Sequence, residues 1–162
     1  MNLLATAPQW LLVALLVLLL LAALEDGWRL TINNILSAAV ALGAFLAVAL
    51  DGPIVGLWQN LLLFAAVLVV GTVLFARKAM GGGDVKLLAA SVLWCDLSTG
   101  WKLLVAISIA GGLEALLVLM LRRYPWPESV YSQVALLRWG VGIPYGIAIA
   151  CGMALMIWWL RW

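Results

Sequence analysis

Apolar residues in this chain come in long runs, and the polar residues gather in the gaps between them. The runs cover 9–24, 34–50, 57–75, 84–95, 103–121 and 141–160. Most approach the roughly 20 residues a helix needs to cross a bilayer's hydrocarbon core, and the run 84–95 is shorter. The pattern predicts an all-α, polytopic membrane protein of six transmembrane helices with short loops. No connection is long enough to form a separate unit, so residues 1–162 read as a single domain.

Composition strengthens this reading. Hydrophobic residues make up 67% of the chain and charged residues 10%, against about 45–50% and about 25% in soluble proteins. A water-soluble fold could not hide that much apolar surface, so the solvent is lipid. The first run could be a signal peptide, with Ala22 and Ala23 near its end, yet residues 1–9 carry no Lys or Arg. A signal peptide wants a positive amino-terminal region, which favours a first helix that stays in the protein. With the amino terminus outside, Arg29, Arg77, Lys78, Lys86, Arg122, Arg123 and Arg138 fall on cytoplasmic connections, and only Lys102 and Arg161 lie outside. That is the positive-inside distribution. The chain is therefore expected to lie in a membrane with its amino terminus outside, and the net charge of +2 reports orientation rather than nucleic-acid binding. Trp10, Trp58, Trp101, Trp158, Trp159 and Trp162 lie near run ends, as interfacial anchors do.

The residues that are missing restrict the chemistry. With no histidine in the chain, histidine metal sites, Ser-His-Asp triads and Cys-His pairs are excluded. Cys95 and Cys151 show no C-x-x-C spacing and read as core packing. The run Gly81-Gly82-Gly83 matches neither nucleotide-loop spacing. No metal or cofactor is expected, and any chemistry falls to carboxylates.

The seven acids sort by position. Asp51 in "DGP", Asp96 in "CDLSTG" and Glu128 in "RRYPWPESVYSQ" read as solvated turn or loop residues. Asp26, near Glu25 at the cytoplasmic end of the first helix, is three residues from Arg29 and open to a local ion pair. Asp84 follows the glycine run and reads equally as a helix N-cap. Topology puts both aspartates at one membrane face. Two carboxylates in contact split their proton affinities, so one can activate water while the other protonates a developing oxyanion. Glycines without side chains would let an extended substrate backbone lie close to them, in a watery notch that tolerates irregular backbone. Glu114, mid-helix after Gly111-Gly112, is open to an interhelical hydrogen bond or to a substrate or proton role. Gly111-Gly112 suits close helix packing, and Pro144 is expected to kink the last helix.

"GGGD" at 81–84 matches the G-x-G-D signature of intramembrane aspartyl proteases, and the following "VKLLAA" resembles the type IV prepilin peptidase branch. The resemblance is to the short form found in tight-adherence (Flp-type) pilus systems. "DGWRLTINN" at 26–34 resembles that family's aspartate followed by I-P-N, with Ile32 and Asn34 in register. "GIPYGIAIACG" at 142–152 resembles its closing helix. The three anchors fall in family order across nearly the whole chain.

The resemblance implies a membrane aspartic endopeptidase that cleaves prepilins or pseudopilins at the cytoplasmic face, just before a hydrophobic helix. It implies Asp26 and Asp84 as catalytic pair, with Gly81, Gly83, Lys86 and Asn34 on the substrate side, no nucleic acid, and the lipid bilayer as surroundings. The chain departs from the family at Asn33, where proline is usual, and it contains no paired C-x-x-C motifs. Methylation of the product is not assigned. Two other readings stay open: a small proton-coupled transporter using Glu114, and a non-catalytic membrane subunit of a secretion complex.

Overall fold

The computed structural model describes residues 1–51, 56–127, 137 and 142–161, and the side chain of Asp51 stands outside that description. Glu128, Arg138 and Trp162 also lie outside the described residues. Among the described residues there are seven helices and no strand: α1 (Leu3–Thr6), α2 (Gln9–Arg29), α3 (Asn34–Asp51), α4 (Leu57–Ala76), α5 (Gly82–Val92), α6 (Leu97–Arg123) and α7 (Tyr145–Arg161). Three of them, α2, α4 and α6, are long and apolar enough to cross a membrane, and Asn34–Leu50 and Tyr145–Arg161 are shorter apolar helices.

Helix boundaries differ from the hydrophobic runs where a polar side chain caps or extends a helix. The α6 helix begins at Leu97, six residues before the run 103–121, because Asp96 acts as its N-cap: its Oδ1 accepts from Thr99 N at 2.8 Å. Burial opposes the charge on Asp96, but hydrogen bonds from Thr99 and Ser98 outweigh it and hold the carboxyl below the usual range. Asp96 is thus a cap rather than a solvated turn residue. The last helix begins at Tyr145, and Pro144 stands just before it, where its missing N–H costs nothing and its ring bends no helix. The expected kink does not occur.

The interior is built around α5. This 11-residue helix is too short to span a bilayer and packs against α3, α4 and α7. Leu87, Ala89, Ala90 and Val92 on it are buried on several sides, as a helix enclosed by others must be. Trp94 follows it into the core and donates Nε1–H to Val40 O at 3.1 Å. Helix α7 lies between α2 and α6 and packs on both. The α6–α7 contact is close and antiparallel: Gly111 faces Ala148, and Gly152 faces Ile107, where an added Cβ would sit 3.0 Å from Ile107 N.

The opposite end from α5's amino terminus is closed by polar groups that satisfy one another. Asn60, fully buried, donates Nδ2–H to Leu93 O at 2.8 Å and to Met1 O at 2.9 Å. Leu3 N–H donates to Trp94 O at 3.0 Å, and Arg161 reaches Leu4 O and Ala7 O. Trp10, Trp58, Trp101, Trp158 and Trp159 are exposed on the outside of the bundle. Cys95 is buried, but Cys151 is exposed on α7 and is not core packing.

Candidate active site

Asp26 is carried in the last turn of α2, which runs five residues beyond the apolar run 9–24. It does not pair with Arg29, which is exposed. Its carboxylate is instead buried, with 3% of the residue exposed, and Oδ2 accepts from Gly146 N at 2.7 Å. Gly146 is the second residue of α7, so its N–H is one of the four a helix start leaves without an internal partner. A carboxylate there is also favoured by the helix dipole. Any Cβ at 146 would lie 3.0 Å from both Cβ and Oδ2 of Asp26; the position is open only to glycine without movement.

After Asp26 the chain turns sharply. Leu30 adopts a left-handed conformation (φ 55°) and donates its N–H to Asp26 O at 2.7 Å. Asn33 then starts α3: its Oδ1 accepts from Ile35 N at 3.0 Å, and its own N–H donates to Glu25 Oε2 at 3.0 Å. Asparagine is a favoured N-cap, which accounts for a turn without proline. Between these two residues, Ile32 is buried and packs into the space left by two glycines. A Cβ on Gly83 would lie 3.0 Å from Ile32 Cβ and 3.2 Å from Ile32 N, and one on Gly146 would lie 3.2 Å from Ile32 Cδ1.

Asp84 is the third residue of α5, whose N-cap is Gly81 in extended conformation (φ −69°, ψ 146°). It is therefore not the N-cap itself. Its carboxylate turns back over the cap, so that a Cβ on Gly81 would come within 2.7 Å of Oδ2. The reach of a third-position acid back to the cap resembles one half of a capping box. Gly81 and Gly83 thus have steric roles inside the protein: the first makes room for Asp84's carboxylate, the second lets α5 meet the loop that follows Asp26. Asp84 is half-buried, and Asp26 is close enough for Asp84 to feel its charge. Of the remaining expected residues, Lys86 donates Nζ–H to Asn34 Oδ1 at 2.8 Å, tying α5 to α3 on the exposed side.

A cleft of about 630 Å³ borders this centre. Lys78, Met80 and Gly81 line one side, and Gly142, Ile143 and Tyr145 the other. Neither aspartate lines it directly, but Gly81 touches Asp84's carboxylate and Tyr145 precedes the glycine that holds Asp26. Two carboxylates beside such a cleft can divide one proton between them, act on water and on a bound carbonyl, and need no further group to do so.

Sequence reasoning did not find the Gly146 N–H, since a backbone donor has no residue type to give it away. The one signal was the P-Y-G segment, noted for its likeness but not for a partner. A scan with family models matches residues 13–121 to the one described as the type IV leader peptidase family. Comparison with curated proteins and with solved structures gave no match.

Proposed function

The chain belongs to the type IV leader peptidase family, and we propose that it is an aspartic endopeptidase of a bacterial membrane. It cuts the leader from prepilins or pseudopilins at the cytoplasmic face of the inner membrane. The observation that supports this reading is that Asp84, 58 positions from Asp26 in sequence, lies near enough to feel its charge. Each rests on a glycine backbone.

In this reading the ionised carboxylate takes a proton from water as the water oxygen bonds to the scissile carbonyl carbon. The protonated carboxyl gives its proton to the carbonyl oxygen, so the tetrahedral intermediate carries two hydroxyls and no net charge. Collapse returns one hydroxyl proton to the carboxylate that donated, the C–N bond breaks, and the other carboxyl protonates the departing nitrogen. Leader acid and shortened pilin leave, and the pair is again singly protonated. The protons belong to the pair throughout. Asp26's bond from Gly146 holds one carboxylate oxygen and leaves the other for water.

The test is co-expression with a precursor carrying a short basic leader before an apolar helix. Asp26→Asn and Asp84→Asn should each abolish the shorter product while the protein still accumulates in the membrane. Normal processing by either variant would refute the proposal.

A further inference from the structure

Glu114 is left over once the aspartates are assigned. It lies on α6 one turn beyond Gly111, which packs on Tyr145 and Ala148. Both its carboxylate oxygens are shielded from solvent and make no hydrogen bond of good geometry among the described residues, although the backbone N–H of Ala148 on α7 lies close by. It is near enough to Asp26 and Asp84 to feel their charge. An acid kept in such a place is costly, and the approach of one backbone N–H does not offset it.

What Glu114 faces is a groove of about 490 Å³ between α6 and α7. Ala106, Ala110 and Leu113 line it from α6, and Ala148, Cys151 and Leu155 from α7. Glu114 is its one ionisable carboxylate, and apart from it the lining is apolar. From residue 106 to residue 117 the groove runs about 16 Å, or three helical turns. Because the two helices are antiparallel, with 111 facing 148 and 107 facing 152, Glu114 stands in the half nearest Gly146 and Asp26, with Leu117 beyond it. The other end points away from the site. Small residues on both walls let another backbone come close.

We propose that this groove holds the apolar helix of the substrate, with the helix's amino end at Glu114; the inference rests on the peptidase reading above. Charge complementarity selects the occupant. A helix start presents four N–H groups without internal partners and about half a positive charge, and within lipid those donors need an acceptor. Glu114 supplies one at the head of a slot shaped for an apolar rod once its carboxyl turns outward from the shielded position it holds here. After cleavage the same spot receives the new ammonium group. A lipid tail would fill the slot but offers nothing to the carboxylate.

Cys151 provides the test, since it is exposed in the groove while Cys95 is buried. A precursor with one cysteine stepped along its apolar segment is oxidised with copper phenanthroline beside the Asp84→Asn protein, which leaves the precursor intact. Cross-links to Cys151 should recur every three to four positions and vanish with Cys151→Ser. On the otherwise unaltered protein, Glu114→Gln should raise KM about tenfold with kcat within about twofold. Cys151→Trp, which fills the groove without touching the acid, should raise KM in the same way.

Equal cross-linking all round the helix, as a lipid-filled groove would give, overturns the proposal. So does a Cys151–Cys151 dimer in its place, or an unchanged KM in both variants. If the unaltered protein cleaves the precursor while those results appear, docking fails and the peptidase reading stands. If it cleaves no precursor at all, both fall.

Discussion

Replacing Gly83 by alanine separates the placing of the two aspartates from the stability of the bundle. The added Cβ would stand 3.0 Å from Ile32 Cβ, 3.2 Å from its N and 3.3 Å from its O. Ordinary carbon contacts lie at about 3.5–4.0 Å, so α5 and the loop after Asp26 must part by roughly half an ångström. Two of the three neighbours are backbone atoms, which have no rotamer to yield. Overpacking of this kind costs about 1–3 kcal/mol, and alanine's better helix preference returns up to about 1 kcal/mol. The net loss of about 0–2 kcal/mol lowers the melting temperature in detergent by a few degrees. Activity should suffer more, because the movement is along the line joining the elements that carry Asp26 and Asp84. Misplacement by about 1 Å costs on the order of a hundredfold, so half of that predicts about a tenfold loss. Gly82→Ala is the control: its Cβ would meet Phe75 Cε2 at 3.3 Å, the tip of an exposed side chain that can swing aside. The assay is single-turnover leader cleavage by purified protein in lipid nanodiscs, with thermal unfolding measured in parallel. A Gly83→Ala protein as fast as the unaltered one, or a Gly82→Ala protein that is slower than it, would refute the reasoning.

Other expectations follow from particular contacts. Asn60→Leu strands the carbonyls of Leu93 and Met1 and should cost about 1–3 kcal/mol in detergent unfolding, with cleavage per folded molecule unchanged. Asp96→Ala removes the α6 cap and should cost about 1 kcal/mol at pH 7. Asp96 is held below a free aspartate's 3.8, so the cap's contribution is present above that pH and lost as pH falls below it. The difference between the two proteins should therefore shrink in thermal unfolding near pH 3. Gly146→Ala forces a Cβ against Asp26's carboxylate and should slow cleavage at least tenfold with little change in the amount of protein in the membrane, read by immunoblot against processed product.

How much of this was legible beforehand depended on where the information sits. Helices α3 and α4 matched their apolar runs to within a residue, because lipid selects composition along their whole length. The start of α6 was missed because Ser98, Thr99 and Lys102 break the apolar run while Asp96 caps the helix. The aspartates suggested themselves as a pair because charge is scarce in this chain and the expected topology puts both at one face. Their supports did not. The glycine run suggested room for a substrate, but it gave no sign that Asp84's carboxylate lies against Gly81 or Ile32 against Gly83. Gly146 acts through a backbone N–H and Ile32 through shape, and neither leaves a mark in residue type. Glu114 was conspicuous as an acid amid apolar residues, but only the antiparallel register of α6 and α7 shows which half of a groove it occupies.

The proposed peptidase requires Asp26 and Asp84 to act as one unit. The direct measurement is the cleavage rate of Asp26→Asn, Asp84→Asn and the double variant, each compared with precursor alone. If the carboxylates share one proton and one reaction, each single change should remove as much rate as both together, leaving all three at background. A single variant that keeps a tenth or more of the rate, with the double variant slower by the product of the two losses, would contradict it.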